Sequence, residues 1–384
     1  MRVGHFVTAF PNRKLRTEVY GAGRVAYFLS RELAKKGHEV HVFVPSLENL
    51  IENQKNLVAH FYKSLLKISH FGYISPKLLF DPLNYDLDVI HLHWDTPISA
   101  TAALRYVNKR GKPFVVTWHG DWIERYGNLV RKIGVWLANK YLVDKLLSKA
   151  DVIITPSMHY VEESKFLRNF REKVVEIPNG IDLEAFNIPH SKYEAREILG
   201  LDKEKKLVLF LSQLYDLKGP HILLRAIPKI VERHEDAFFV FAGGGNVKKY
   251  ETLAKELGVD KFVKFTDYIE ERLKPLYYKS ADVFVLPSIE TFEVFPLVLL
   301  EASAVGLPMV VSDLRTFRCI IEEGYNGIFT KRGDPESLAN AITYLLENEE
   351  VREKMGRNAK EKARQYSWDK IAEKYEEVYK KVLS

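Results

Sequence analysis

Short β-branched runs alternate with helical stretches along this chain, and halfway through the alternation starts again. The first half reads as strands in "VGHFVT", "EVHVFVP", "LDVIHLHW", "PFVVTWHG" and "DVIITPS". The second half offers "KLVLFLS", "FFVFAGGG", "KFVKFTD", "DVFVLPS" and "PMVVSD". One echo is direct: "ADVIITPS" at 150–157 returns as "ADVFVLPS" at 281–288. Such a grammar predicts parallel sheets with helices on both faces, here in two similar α/β domains. The break is expected in "IPNGIDLEAFNIPHS", residues 177–191, with its two prolines and Asn-Gly turn. The domains are then 1–178 and 186–365, with a last helix, "DKIAEKYEEVYKKVL", inside 366–384.

Within the first domain, Val25, Phe28, Leu29 and Leu33 have helical spacing, and Gly37 is a natural stop. Helices are also expected at 97–110 and 125–149. Residues 47–85 are expected to be irregular, aromatic and basic. With 384 residues, 46% of them hydrophobic, the chain has enough apolar material for two or three cores. Its one cysteine, Cys319, allows no internal disulfide and suits a reducing compartment. The start, "MRVGHFVTAFPNRK", lacks the apolar stretch of a signal peptide, and no run approaches a membrane span. A cytoplasmic location is expected, with peripheral contact at a membrane as an option. The net charge of +6 suits a polyanionic small ligand or an anionic surface and does not demand nucleic acid.

In open parallel sheets, ligands bind outside the carboxyl ends of the strands. In the first half those ends carry Thr8, Ser46, His93, His119 and Ser157; in the second, Ser212, Gly243 to Gly245, Asp267, Ser288 and Asp313. The expected site is a cleft between the domains. The stretch "PSIETFEVFPLVLLEASAVGLP" sharpens this expectation. If a helix begins near Phe295, then Leu297, Leu300, Glu301 and Ala304 share one face. A carboxylate on a buried face is costly unless something pairs with it. Pro296 fits a first helical turn, whose free N–H groups and dipole suit phosphate. Glu301 offers two acceptor oxygens to the two hydroxyls of a ribose; the structural alternative is pairing with a buried Arg or Lys.

The stretch "PSIETFEVFPLVLLEASAVGLPMVVSD" resembles the Glu-x7-Glu region of the family 4 retaining glycosyltransferases, and "IPNGIDLEAF" resembles that family's interdomain signature. "GAGRVAYFLSRELAKKGHEV", "VTWHG", "DVIITPS", "LKG", "NGIFT" and "YSWDKIAEKYEEVY" follow in the family's order, so the resemblance covers nearly the whole chain. It implies the GT-B fold: two Rossmann-like domains facing each other across a cleft, with the final helix crossing back to the first.

The resemblance also implies roles. Glu301 would hold the nucleotide ribose and Glu293 the hydroxyls of the donor sugar. His119 would lie beside the transferred sugar, and Lys218 would meet the diphosphate. Gly21, Ala22 and Gly23 would let the first loop approach the sugar-phosphate. Gln213, Asp267, Phe295, Pro296 and Leu297 complete the expected donor site, with His119, Lys218 and Glu293 as its catalytic members. The chain departs from the pattern in three places. Ser212-Gln213 stands for the usual Gly-Arg, removing a second cation; Val294 and Pro296 stand for glycines; "LRTFRC" replaces glycines and a Glu after Asp313.

Other motifs have plainer readings. "GAG" before a helix suggests a dinucleotide fingerprint, but the third glycine is missing and no acid ends the next strand. "DLD" at 86–88 looks like a metal-binding Asp-x-Asp, yet it precedes its strand, at the edge away from a ligand, and reads as solvated acids. His91 and His93 share one strand face and read as packed or hydrogen-bonded. Residues 60–80 mix aromatics, leucines and basic groups that could meet a membrane; the alternative is packing on the first domain. The basic residues of 125–149 share their helix with Trp136, Leu137 and Tyr141 and read as its solvated face.

The expectation is a retaining, metal-independent hexosyltransferase that needs no cofactor. It would use a UDP-, GDP- or ADP-linked sugar and a sugar, lipid-linked or small-molecule acceptor. A GT-B phosphorylase or epimerase, or a catalytically weak sugar-nucleotide-binding protein, are the alternatives.

Overall fold

The structure, a computed structural model, describes residues 1–12, 21–68, 72–122, 129–290 and 293–384. The chain divides into two units, Met1–Gly180 with Trp368–Ser384, and Ile181–Ser367. Each is built around a sheet dominated by parallel strands.

The first unit contains β1 (Arg2–Phe6), β2 (Glu39–Ser46), β3 (Leu50–Gln54), β4 (Leu57–Lys63), β5 (Leu66–Ile68), β6 (Gly72–Ile74), β7 (Val89–Trp94), β8 (Phe114–Trp118), β9 (Val152–Thr155) and β10 (Val174–Glu176). Its main sheet runs β10-β9-β8-β7-β1-β2-β4-β3, and β5 pairs with β6 alone. Every pairing in the main sheet is parallel except β3 with β4. Its central strands β1, β2, β7 and β8 are buried along nearly their whole length because helices cover both faces, as parallel sheets require.

Residues 47–85 are therefore not irregular. Leu57, Ala59 and Phe61 alternate into the core of β4, and Lys55, at φ 34°, turns the chain between β3 and β4. Tyr62 is likewise buried and donates to Asp81, and Leu78 is fully buried. Much of the aromatic and apolar content of 60–80 is thus spent on packing, although Leu65 and Leu66 are exposed; residues 69–71 lie outside the described ones. The expected helix at 125–149 is three pieces: helix Leu129–Ala138, a π-helical turn Asn139–Val143, and helix Asp144–Lys149. Its expected beginning lies outside the described residues. Trp136, Leu137 and Tyr141 stand on the exposed face along with the basic residues. "DLD" is an ion-pair anchor at the amino edge of the sheet: Arg2 bridges Asp86 and Asp88, and Lys112 reaches Asp86.

The second unit contains β11 (Lys206–Leu211), β12 (Ala237–Ala242), β13 (Val263–Thr266), β14 (Val283–Leu286), β15 (Met309–Ser312) and β16 (Gly327–Thr330). The order is β13-β12-β11-β14-β15-β16, all parallel. The sixth strand is "GIFT", four residues beside Met309–Ser312 and too short for a periodicity argument. In chain order the sheet reads 3-2-1-4-5-6, so the winding reverses between β11 and β14. At the amino edge of that junction, Arg196 is buried and donates to Asp282 and to the carbonyls of Ser280, Lys203 and Lys205. Asp282 also accepts from Lys192 and from the Leu207 N–H. Burial pushes this carboxyl up, but Lys192, the Leu207 N–H and Arg196 outweigh it and hold the pKa below the usual range.

The two chain crossings lie side by side, Ile181 bridging Ser367. Helix Trp368–Leu383 then packs in the first unit. Trp368 stacks on Phe28 with centroids 5.5 Å apart, and Ile371, Ala372, Tyr375 and Tyr379 enter the same core as Val3, Val25 and Leu29. Gly180 makes room for this helix, because a Cβ there would lie 2.4 Å from the Trp368 indole. We expect Gly180→Ala to displace the helix and cost about 1–3 kcal/mol. Faster hydrogen exchange across 368–383 would register it; wild-type protection would show that the indole gives way freely.

Candidate active site

In the second unit the loops after β11 and β14 meet where the winding reverses. The chain turns through Ser212–Lys218 and enters helix Pro220–Val231 at Gly219. Gly219 has φ +75°, and a Cβ there would sit 1.9 Å from the Pro287 carbonyl oxygen. Only glycine allows the two loops to approach this closely. The Ile289 N–H then donates to the Leu217 carbonyl at 2.9 Å. Across this seam the Lys218 ammonium donates to the Glu293 carboxylate, whose other oxygen accepts from the Ser288 hydroxyl at 3.0 Å. Two residues singled out in the sequence are thus each other's partners, 75 positions apart.

Glu301 lies one turn into helix Leu297–Val305 and is 1% exposed. Its Oε2 accepts from the Tyr278 hydroxyl at 2.8 Å. Tyr278, from the helix before β14, was not legible as part of the site, since a tyrosine in a helix reads as core. The helix is apolar all round, with Leu299, Leu300, Ala302 and Ala304 also buried. Pro296 is its N-cap, with ψ 105°, and not a first-turn residue; its fixed φ sets the entry, and the free N–H groups begin at Leu297. Phe295 is buried toward Tyr366, and Leu297 is half-buried. Gln213 is exposed on the loop after β11, and Asp267, after β13, accepts from the Tyr268 N–H. Asp313 pairs with Arg318 of "LRTFRC". A surface cavity of about 610 Å³ opens between Leu201, Asp202, Asp236, Phe238 and Lys264 at the sheet's amino edge, away from these residues.

The first unit has its own reversal at β1, which lies between β7 and β2. Past those strand ends, the Asp95 carboxylate accepts the Thr8 N–H at 3.0 Å and the Thr8 hydroxyl at 2.6 Å. Burial pushes its pKa up to about 7 against these hydrogen bonds. Asp95 was missed in the sequence, although its place one residue beyond β7 is the signal the strand-end rule uses. The Gly21–Ala22–Gly23 stretch opens helix Ala22–Lys35; a Cβ on Gly23 would meet the Ala9 carbonyl at 2.5 Å. His119 stands half-buried beyond β8 and joins a line of histidines on one sheet face. His119 Nε2 is 3.2 Å from His93 Nδ1, and His93 Nε2 is 3.0 Å from His5 Nδ1. His91 contacts the Tyr379 hydroxyl and Thr117. Among the described residues, His5, His91 and His93 are the group close enough to share a metal ion; the nitrogens of His91 and His93 are already engaged by hydroxyls and by other rings.

Only His5 Nε2 in this line is buried without a partner. A buried lone pair is a less severe orphan than a buried N–H, so we assign the proton of His5 to Nδ1. His5 then donates to His93 and His93 to His119, which leaves His119 with its own proton on Nδ1. Burial pushes His5 down to about 3 and His119 to about 4, and holds His91 and His93 well below the ordinary value. These rings fold neutral, so their stabilisation is full above about 6.5, the unfolded value, and is lost as pH falls toward the folded values. Asp95, raised to about 7, works in the opposite direction, one group against four. Melting temperature is therefore expected to drop by several degrees between pH 7 and pH 5, above most carboxylate titrations; a flat profile would contradict the neutral histidine line.

The model for glycosyl transferases group 1 matches residues 191–362, and that for glycosyltransferase family 4 matches residues 19–185. An uncharacterized glycosyltransferase of Methanocaldococcus jannaschii is 35% identical over 92% of both chains. This chain belongs to the family 4 glycosyltransferases. Its fold is GT-B. Among solved structures, sucrose-phosphate synthase of Thermosynechococcus elongatus superposes with a TM-score of 0.79 at 20% identity, covering 99% of this chain and 98% of that one. Anabaena HepE in complex with UDP and glucose superposes at 0.76 with 20% identity, covering 99% and 100%. The chain is accordingly a glycosyltransferase. Among its described residues, no helix is long and apolar enough to cross a membrane.

Proposed function

We propose that this glycosyltransferase moves a hexose from a nucleoside-diphosphate sugar to an acceptor hydroxyl, with retention at the anomeric carbon and without a metal ion. The observation that carries this reading is the meeting of Lys218 with Glu293 at the winding reversal, on the loop that leads into the helix bearing Glu301. A donor needs a cation for its diphosphate, acceptors for its sugar hydroxyls and acceptors for its ribose, and these three side chains supply them. Solved structures of the same fold with UDP or ADP bound support a donor of this class.

The ion pair gives the site a built-in exchange. Without donor, Glu293 neutralises Lys218. An arriving diphosphate competes for the ammonium, and the freed carboxylate can then accept from sugar hydroxyls. As the glycosidic bond breaks, negative charge grows on the leaving diphosphate, and a cation aimed there binds the transition state more tightly than the ground state. The departing oxygen is the base for the acceptor proton. His119, with its proton on Nδ1, offers a donor to a sugar oxygen.

Lys218→Ala should lower kcat/KM at least tenfold, since hydrogen bonds to charged groups are worth roughly 1.5–3 kcal/mol and each 1.36 kcal/mol is about tenfold. Gln213→Ala should cost less, because a neutral amide makes a weaker bond to the diphosphate. A larger loss at Gln213 would mean that another cation holds the leaving group.

Glu301→Ala should weaken nucleoside-diphosphate binding, read by calorimetry, while Glu301→Gln keeps an acceptor for Tyr278 and most of the stability. Equal affinity in both variants and the wild type would remove the ribose assignment. The function itself is tested by incubating the protein with UDP-, GDP- and ADP-sugars in EDTA and reading the anomeric linkage of any product by NMR. An inverted product, or transfer that returns only with Mg²⁺ or Mn²⁺, would overturn the mechanism. Phosphate-dependent cleavage would point to a phosphorylase.

A further inference from the structure

The segment 129–149 has two distinct sides. Its inner side, with Val135, Val143, Leu146 and Leu147, is buried. Its outer side carries Leu129, Ile133, Trp136, Leu137 and Tyr141, all between 44% and 71% exposed. These fall three or four residues apart, so they form one stripe along the helix. Scattered exposed apolar residues are ordinary on protein surfaces, but a continuous stripe of large ones marks a docking face.

The charges identify what docks. Residues 129–149 hold five cations, Arg131, Lys132, Lys140, Lys145 and Lys149, against one acid, Asp144. That excess of four lies within a chain whose whole net charge is +6. Lys132, Lys140 and Lys145 are exposed beside the stripe, and the Lys140 ammonium lies 4.9 Å from the Trp136 ring centroid and 5.2 Å from that of Tyr141. A second copy of this face would bring like charges together, so self-association through it is opposed. Trp and Tyr with an apolar body and a polar edge, leucine and isoleucine between them, and lysines that can reach outward are the composition of a helix lying in a lipid interface. Residues 60–80, the sequence's candidate for that role, put much of their apolar content into the sheet and core instead.

We propose that helix Leu129–Ala138 and the π-helical turn after it form a docking face for an anionic phospholipid surface. The apolar stripe enters the headgroup boundary, and Lys132, Lys140 and Lys145 meet lipid phosphates. Attachment of this kind is peripheral and weakens with salt.

The test uses the full chain and flotation with vesicles of phosphatidylcholine alone or with about one-third phosphatidylglycerol. Binding is expected only to the anionic vesicles and should fall with added salt. The double variants Trp136→Glu/Leu137→Glu and Lys132→Glu/Lys140→Glu should each bind at least tenfold more weakly, with melting temperatures kept. No flotation with anionic vesicles, or flotation that both double variants retain, overturns the proposal. So does a dimer in light scattering that the Trp136→Glu/Leu137→Glu variant abolishes, since the face would then be a contact between copies. Binding is read without turnover, so failure here leaves the glycosyltransfer reading untouched.

Discussion

The chemistry proposed for the second unit depends on a short parallel pairing. β11 and β14 share only the register pairs Val208 with Val283 and Leu209 with Phe284. Yet this junction is where the winding reverses and where the loops bearing Lys218 and Glu293 must meet. A ladder so short needs reinforcement, and Asp282 provides it from the amino edge. The Asp282 N–H donates to the Leu207 carbonyl, its carboxylate accepts the Leu207 N–H, and Arg196 and Lys192 neutralise the charge. Breaking a buried pair by removing one partner typically costs about 3–5 kcal/mol. The carboxyl edge of the sheet is thus held in place partly from its opposite edge.

The two units solve the same positional problem with different chemistry. In the second, a cation and a carboxylate, Lys218 and Glu293, meet at the reversal and are paired with each other. In the first, the reversal holds hydroxyls, a carboxylate with raised pKa and a line of neutral imidazoles. Charges that find partners locally suit the diphosphate proposed for this site, because ligand binding then exchanges one ionic partner for another. Neutral donors and acceptors suit hydroxyl groups, whose hydrogen bonds need direction more than charge.

Much of this architecture was readable because parallel strands covered on both faces are written as continuous β-branched runs. Strand ends followed from those runs, and with them Thr8, His93, His119, Ser288 and Asp313. Glu301 stood out as a carboxylate on an apolar helix. What could not be read was pairing across long separations: Tyr278 under Glu301, His5 behind His93, and Lys218 on Glu293. None of these leaves a local pattern. The β3–β4 hairpin was missed for another reason, since basic and aromatic residues masked its alternation, and β16 was too brief to show a period. The exposed stripe at 129–141 was not legible either: helical spacing reveals that a face exists, and the same spacing fits a face turned inward or outward.

The last helix has a consequence for how the protein is made. Trp368, Ile371, Ala372, Tyr375 and Tyr379 belong to the core that contains β1 and the helix Ala22–Lys35. A ribosome must therefore synthesise the entire second unit before the first can close. Until residue 379 has emerged, Phe28, His91 and Thr117 lack the aromatic and hydroxyl neighbours that complete their surroundings. The second unit, contiguous from 181 to 367, faces no such wait, so the half of the chain made later is free to finish folding first.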